Sequence, residues 1–205
     1  MEFENQVEEL CDLNGNAKSY LDEDNTMIIS TDEKCGMQAL ERTSGDLPVT
    51  DKHDRKIEFN YIRHGTQTLI GGLEIATGQI YSQIGDTRTE KDYAEFIDYV
   101  VNGGTQEKEL KYVFLADQLN THKSESLVRL LARINGDTSD LGVKGKSGIL
   151  KNMDTRMDYL TRTGNRVRFV YTPKHCSWLN LIESWFSQLG KRVLKSGNFT
   201  SKDDL

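Results

Sequence analysis

The run "KYVFLAD" at residues 111–117 constrains the fold more than any other stretch of the chain. It is apolar without alternation, as a buried strand is, and it stops at an aspartate, Asp117. The segment that follows, "HKSESLVRLLARI" at residues 122–134, changes period and sets Leu127, Leu130, Leu131 and Ile134 on one side of a helix. A buried strand passing into an amphipathic helix is the repeating unit of a layered α/β fold. Upstream, "TMIIST" (residues 26–31) is a β-branched strand ending at Asp32. "KIEFNYI" (residues 56–62) alternates, His64 and Gly65 read as a turn, and "TLIGGLEIAT" (68–77) and "QIYSQI" (79–84) continue a meander. Residues 90–101 carry Tyr93, Phe96, Ile97 and Val100 at helical spacing. Downstream come a Gly/Lys/Asp-rich stretch to about Asn165, the strand "VRFVYT" (167–172) and a last helix. That order predicts an α/β domain with a mixed sheet of about five strands flanked by helices. The domain spans residues 26–205, with an acidic segment at 1–25 and an insertion at about 135–166.

In the last helix, "SWLNLIESWFSQLGKRVL", Ser177 reads as the N-cap. Trp178, Ile182, Trp185 and Leu189 then recur as a buried stripe that anchors the helix, while Asn180, Glu183, Ser187 and Lys191 share a second face. The segment thus presents one carboxylate, Glu183, from a helix held by two tryptophans.

Charge is unevenly distributed. The net charge is −6, yet residues 1–33 hold ten acids against Lys18, and residues 141–198 hold eleven bases against Asp154, Asp158 and Glu183. A basic half on an acidic chain points to a polyanionic partner. Lys144, Lys146, Lys151, Lys174, His175, Lys191 and Arg192 are the candidate phosphate contacts. No run approaches the about 18 apolar residues of a membrane span, and the acidic N-terminus is unlike a signal peptide. Three cysteines without a CxxC pair argue against a zinc site and fit a reducing, cytoplasmic setting.

In open α/β sheets ligands bind beyond the strand C-terminal ends, where Asp32 and Asp117 converge if their strands are adjacent and parallel. Two unit charges about 5 Å apart repel by roughly 3 kcal/mol at an effective dielectric near 20. A cluster of carboxylates persists where it holds hard divalent cations, Mg²⁺ or Mn²⁺. Two such ions clamp the attacking and leaving oxygens of a phosphoryl displacement. Clustered acids, no Cys/His ligand set and a basic flank therefore read as phosphodiester chemistry.

Four blocks carry a family resemblance: "STDEKCGMQALERT", "NYIRHGTQTLIGGLEIATGQI", "FLADQLNTHKSESLVRLLARI" and "YTPKHCSWLNLIESWFSQLGKRVLKSGNFTS". In this order they resemble the DDE transposases of bacterial insertion sequences, within the mariner-like superfamily and its insertion sequence 630 branch. The resemblance implies a ribonuclease-H-like fold and a catalytic, metal-binding triad of Asp32, Asp117 and Glu183, with Asn120, His122 and Asn180 as possible accessory groups. It further implies two Mg²⁺ or Mn²⁺ ions as cofactor, double-stranded DNA as partner (transposon ends and a TA target), and a homodimer in the active complex. The chain departs from the family pattern in having Gln118 after the second aspartate, in the long segment between Asp117 and Glu183, and in lacking a match to the family's N-terminal helix-turn-helix modules.

Other signals carry less. "GKS" at residues 145–147 lacks the first glycine and the strand of a P-loop. His175 and Cys176 fit packing better than a thiol nucleophile, and Glu33 and Glu41 read as surface acids, Glu33 near the expected metals. The expected function is cleavage and strand transfer by a transposase catalytic domain. Its rivals are a ribonuclease-H-like nuclease that cuts without joining, and an inactive, domesticated DNA-binding fragment.

Overall fold

The computed structural model describes residues 2–44, 49–51, 54, 60–103 and 110–205. A five-stranded sheet runs in the order β3-β2-β1-β4-β5. Its strands are β1 (Thr26–Arg42), β2 (Tyr61–Glu74), β3 (Ile80–Gly85), β4 (Lys111–Ala116) and β5 (Val167–Tyr171). β1, β2 and β3 pair antiparallel, while β4 lies parallel to β1 and β5 parallel to β4. The expected mixed α/β sheet is therefore present.

Helices α3 (Glu90–Gly103), α4 (Glu125–Asn135) and α5 (Met153–Leu160) supply the main core. Tyr93, Phe96, Ile97 and Val100 of α3 and Leu127, Leu130 and Leu131 of α4 pack there with Tyr112, Phe114 and Phe169 of the sheet. Two helices that the sequence reading did not anticipate, α1 (Glu2–Gly15) and α2 (Ala17–Asp24), cover another face. Their Leu10, Leu13 and Ala17 are buried against Ile28, Val113, Leu115 and Val170. β4 is thus apolar on both sides because both sides are covered. The acidic segment is amphipathic, and its few apolar residues complete the core.

Three expected boundaries moved. β1 does not end at Thr31 but runs to Arg42, because β2 keeps pairing with it after β4 has stopped. His64 and Gly65 do not form a turn. They lie within β2, where the register shifts between Ala39 and Leu40 and Gly65 takes φ +133. A Cβ there would also come within 2.7 Å of Lys202, so glycine suits the bulge on both counts. Of the expected strand at 56–62, Tyr61 and Ile62 belong to β2, and residues 55–59 lie outside the described residues.

The stretch expected to be an insertion packs against the core. Asn152 and Thr155 form a capping box at the start of α5, and Leu150, Tyr159 and Leu160 are buried. Among the described residues no helix is long and apolar enough to cross a membrane.

Candidate metal and nucleic-acid site

Strand register brings the two aspartates together. The last parallel pair of β1 and β4 is Ser30 with Leu115, so continuing both strands by two residues sets Asp32 beside Asp117. Asp32 is not at a strand end, as expected from sequence, but at the point where β1 loses its β4 neighbour while still paired to Gly71 of β2. Gly71 matters because α6 (Ile182–Leu189) lies close above it; a Cβ would meet the Phe186 ring at 3.0 Å.

Asp32 is 9% exposed. Burial raises its carboxyl to about 7, and the nearby charge of Asp117 adds to the rise, against a hydrogen bond that Oδ1 accepts from the Glu33 amide at 2.8 Å. Asp117 behaves oppositely. Burial alone would raise it, but the hydrogen bond and charge of His122 outweigh burial and hold it below the usual carboxylate range. A second hydrogen bond, from the Leu119 amide at 2.9 Å, acts in the same sense.

The resemblance makes His122 an accessory group and the sequence makes Glu33 a surface acid near the expected metals; the structure buries both side chains. His122 is fully buried in a 3₁₀ turn (Thr121–Lys123) ahead of α4, whose N-cap is Ser124. Its Nδ1 is 2.7 Å from Asp117 Oδ1, its Nε2 is 3.2 Å from Glu33 Oε1, and the Tyr93 ring packs on it at 4.2 Å. The Glu33 side chain is only 2% exposed. The Nε2 contact lacks hydrogen-bond alignment, so the attraction there is mainly ionic. Burial pushes the imidazole down, but Asp117 and Glu33 together bring it up to about 9.

Ligand atoms of Asp32, Glu33 and His122 lie within 4.8 Å of one another. Both ring nitrogens of His122 already face carboxylates, Asp117 and Glu33, so His122 reads as a bridge between them. What remains is a set of hard carboxylate oxygens, one of them on a residue that is costly to ionise unaided. That donor chemistry fits Mg²⁺ or Mn²⁺.

Glu183 stands in the first turn of α6, exposed and outside that group. Its tether is nevertheless short. The Asn180 side chain donates to the Thr31 carbonyl at 3.0 Å and accepts from the Ser30 hydroxyl, and the Glu183 amide donates to the Asn180 carbonyl at 3.1 Å. Ser30 Oγ in turn accepts from the Ile182 amide at 2.9 Å, so β1 itself satisfies the start of α6. Asn180 is therefore a structural link, not a member of one helical face with Glu183. Asn120 is exposed and caps nothing with its side chain.

The tryptophan stripe also needs correction. Ser177–Leu179 is a separate 3₁₀ turn with no side-chain cap, and α6 begins only at Ile182, which breaks the phase between Trp178 and Ile182. Ile182 and Phe186 are the buried pair, against Met37 and Leu69. Trp185 is half-buried at their edge, its ring 5.7 Å from that of Phe186, whereas Trp178 is 70% exposed.

Of the candidate phosphate contacts, Lys146, Lys151, Lys174, His175, Lys191 and Arg192 are exposed. Lys144 is also exposed but already faces acids, Glu90 at 3.5 Å and Glu125 at 3.6 Å. Lys191 and Arg192 lie in a π-helical turn (Gly190–Leu194) that continues α6. Lys174 and His175, with φ +65 at His175, line an open cleft of about 320 Å³ that also includes Asp117. Lys123, next to His122, is lowered by burial and by the charge of Lys174, which places a second amine near the cleft.

Comparison with known proteins bears on this geometry. No curated protein matches the chain in sequence. Among solved structures, the Mos1 transposase paired-end complex with left transposon end is similar at 13% identity and TM-score 0.55, covering 98% of this chain and 52% of that one. The Mos1 mariner paired end complex with Mn is similar at 13% identity and TM-score 0.54, with the same coverage. The likeness shows the ribonuclease-H-like fold, and the chain spans about half the length of those transposases. A family model described as DDE superfamily endonuclease matches residues 39–205, which takes in Asp117 and Glu183 and begins after Asp32. The chain belongs to the DDE superfamily endonuclease family.

Proposed function

We propose that this chain is the catalytic portion of a transposase that cuts DNA and joins the released end to a target. The observation that carries the reading is the convergence of Asp32 and Asp117 at the open end of the sheet, with Asp32 buried and raised to about 7. Asp32, Asp117 and Glu183 would hold divalent ions, a pair of them in this reading. When bound, the ions supply Lewis acidity to the scissile phosphodiester.

The protein's residues do the rest. His122 holds the Asp117 carboxylate in one orientation and keeps it ionised, with Glu33 anchoring the far side of the ring. Asn180 fixes the start of α6 to β1, which sets where Glu183 can reach. Lys174 and His175 neutralise phosphates along the cleft beside Asp117. Water attacks the phosphodiester first, leaving a 5′-phosphate and a free 3′-hydroxyl; that hydroxyl then attacks a target phosphodiester and displaces the target strand's 3′-oxygen, so no covalent bond to the protein forms. Transposon ends, a homodimeric complex and the insertion sequence 630 branch belong to the same reading.

The test is a plasmid assay with Mn²⁺ or Mg²⁺ and an oligonucleotide ending in a 3′-hydroxyl. Nicking together with covalent joining supports a transposase. Nicking alone would reduce the chain to a nuclease, and neither, with DNA still bound, would leave an inactive DNA-binding protein.

A further inference from the structure

Trp178 is the most exposed large apolar side chain of the described residues, at 70%, yet the backbone on either side of it is hydrogen-bonded. Leu179 behind it is buried in the second core cluster, and Asn180 is locked to Ser30 and Thr31. A hydrogen-bonded 3₁₀ turn (Ser177–Leu179) therefore carries an indole that is left mostly in solvent. Its neighbour Ser177 lines the cleft that holds Asp117, so Trp178 follows directly in the chain on a residue of the cleft wall. The cleft's other walls are Leu119, itself 39% exposed, Pro173, and the basic pair Lys174 and His175. Five residues further along, Glu183 opens α6. Apolar and cationic groups thus lie together beside Asp117.

We propose that Trp178 is a stacking platform for an unpaired DNA base next to the scissile phosphate. The proposal rests on the phosphodiester-cleaving reading above and names what that site grips. An indole face binds any base through its π-surface, and the neighbouring cations hold the phosphates that flank it. Bases inside a duplex are already stacked on each other, so the base taken must come from a frayed end, a nick or a nucleotide turned out of the helix. The platform accordingly favours a strand that is locally opened at the site of attack.

The experiment uses the full chain carrying Trp185→Phe, which leaves Trp178 as the single tryptophan. A short oligodeoxythymidine and a blunt duplex are titrated in, with binding followed by polarisation of labelled DNA and the indole by acrylamide quenching. Stacking predicts that oligodeoxythymidine quenches Trp178 and shields it from acrylamide, and that blunt duplex does so less. Trp178→Ala should weaken oligodeoxythymidine binding by about 5- to 150-fold, Trp178→Phe should retain most of it, and thermal midpoints should stay at the parental value. Oligodeoxythymidine bound with Trp178 still fully open to acrylamide overturns the platform and leaves the nuclease reading intact. No binding of either DNA at low salt overturns both.

Discussion

Each acid of the site has its own electrostatic history, and substitutions separate them. Asp32→Asn, Asp117→Asn and Glu183→Gln should each abolish metal-dependent nicking while leaving the fold, since amides are poor ligands for hard ions. Near-parental nicking by any one of them removes that residue from the triad. The pH dependence follows from Asp32 and His122. Both have folded values above their ordinary ones, about 7 and about 9, so each contributes stability that is present at low pH and lost as pH rises through the folded value. Without divalent ions the chain should lose on the order of 2–4 kcal/mol between pH 5 and pH 8 through Asp32, or roughly 5–15 °C in Tm. A further decline should come as His122 deprotonates, and Mn²⁺ should reverse the Asp32 part. A melting profile flat from pH 5 to pH 9 in chelator would contradict the buried-acid account. At this scale the sequence was only partly legible. Asp32 and Asp117 stand out because each ends an apolar run in the sequence. Glu33 does not, because strand alternation would send it away from Asp32, and only the proximity of the distant His122 explains its burial.

Among the elements, α6 depends most on a partner far away in sequence. Asn180 is 1% exposed, and its amide joins the turn before α6 to Ser30 and Thr31 of β1. Asn180→Ala would leave the Thr31 carbonyl without that donor and the Ser30 hydroxyl without its acceptor, at a cost of about 2–4 kcal/mol. Nicking should fall more than stability does, because Glu183 loses its tether. A urea midpoint unchanged from the parent would show the link to be dispensable. The same link explains why periodicity misplaced this helix. Apolar spacing through Trp178, Ile182 and Trp185 fits one continuous helix, but a side-chain cap from β1 allows the chain to turn in 3₁₀ form first and start α6 later. The strands show the complementary limit. Their existence was legible from apolar runs, whereas the continuation of β1 past Asp32 and of β2 through Gly65 depends on pairing between them.

At the scale of the whole molecule the order of strands and helices was legible, because alternation of the two periods dictates an α/β layer. The role of the acidic first segment was not, since its charges mask the few apolar residues, Leu10, Leu13 and Ala17, that fasten α1 and α2 to the sheet. Their fastening fixes how this chain should meet DNA. A groove reader presents side chains to base edges, but α1 and α2 bury their apolar side and carry acids such as Glu4, Glu8 and Glu9 outward. The exposed bases Lys146, Lys151, Lys174, Lys191 and Arg192 would neutralise phosphates without reading sequence. The described chain should therefore bind generic duplex with a Kd of roughly 10⁻⁴–10⁻⁶ M near physiological salt. Replacing Lys146, Lys151 and Lys174 together by Ala should weaken every duplex alike and flatten the salt slope by roughly 0.9 per lost contact. Lys144→Ala should matter less, because Glu90 and Glu125 already offset its charge. Competition binding decides between generic and selective recognition. A preference above about a hundredfold for one duplex over scrambled DNA would require a base-reading element within these residues, since neutralised phosphates alone supply no such discrimination.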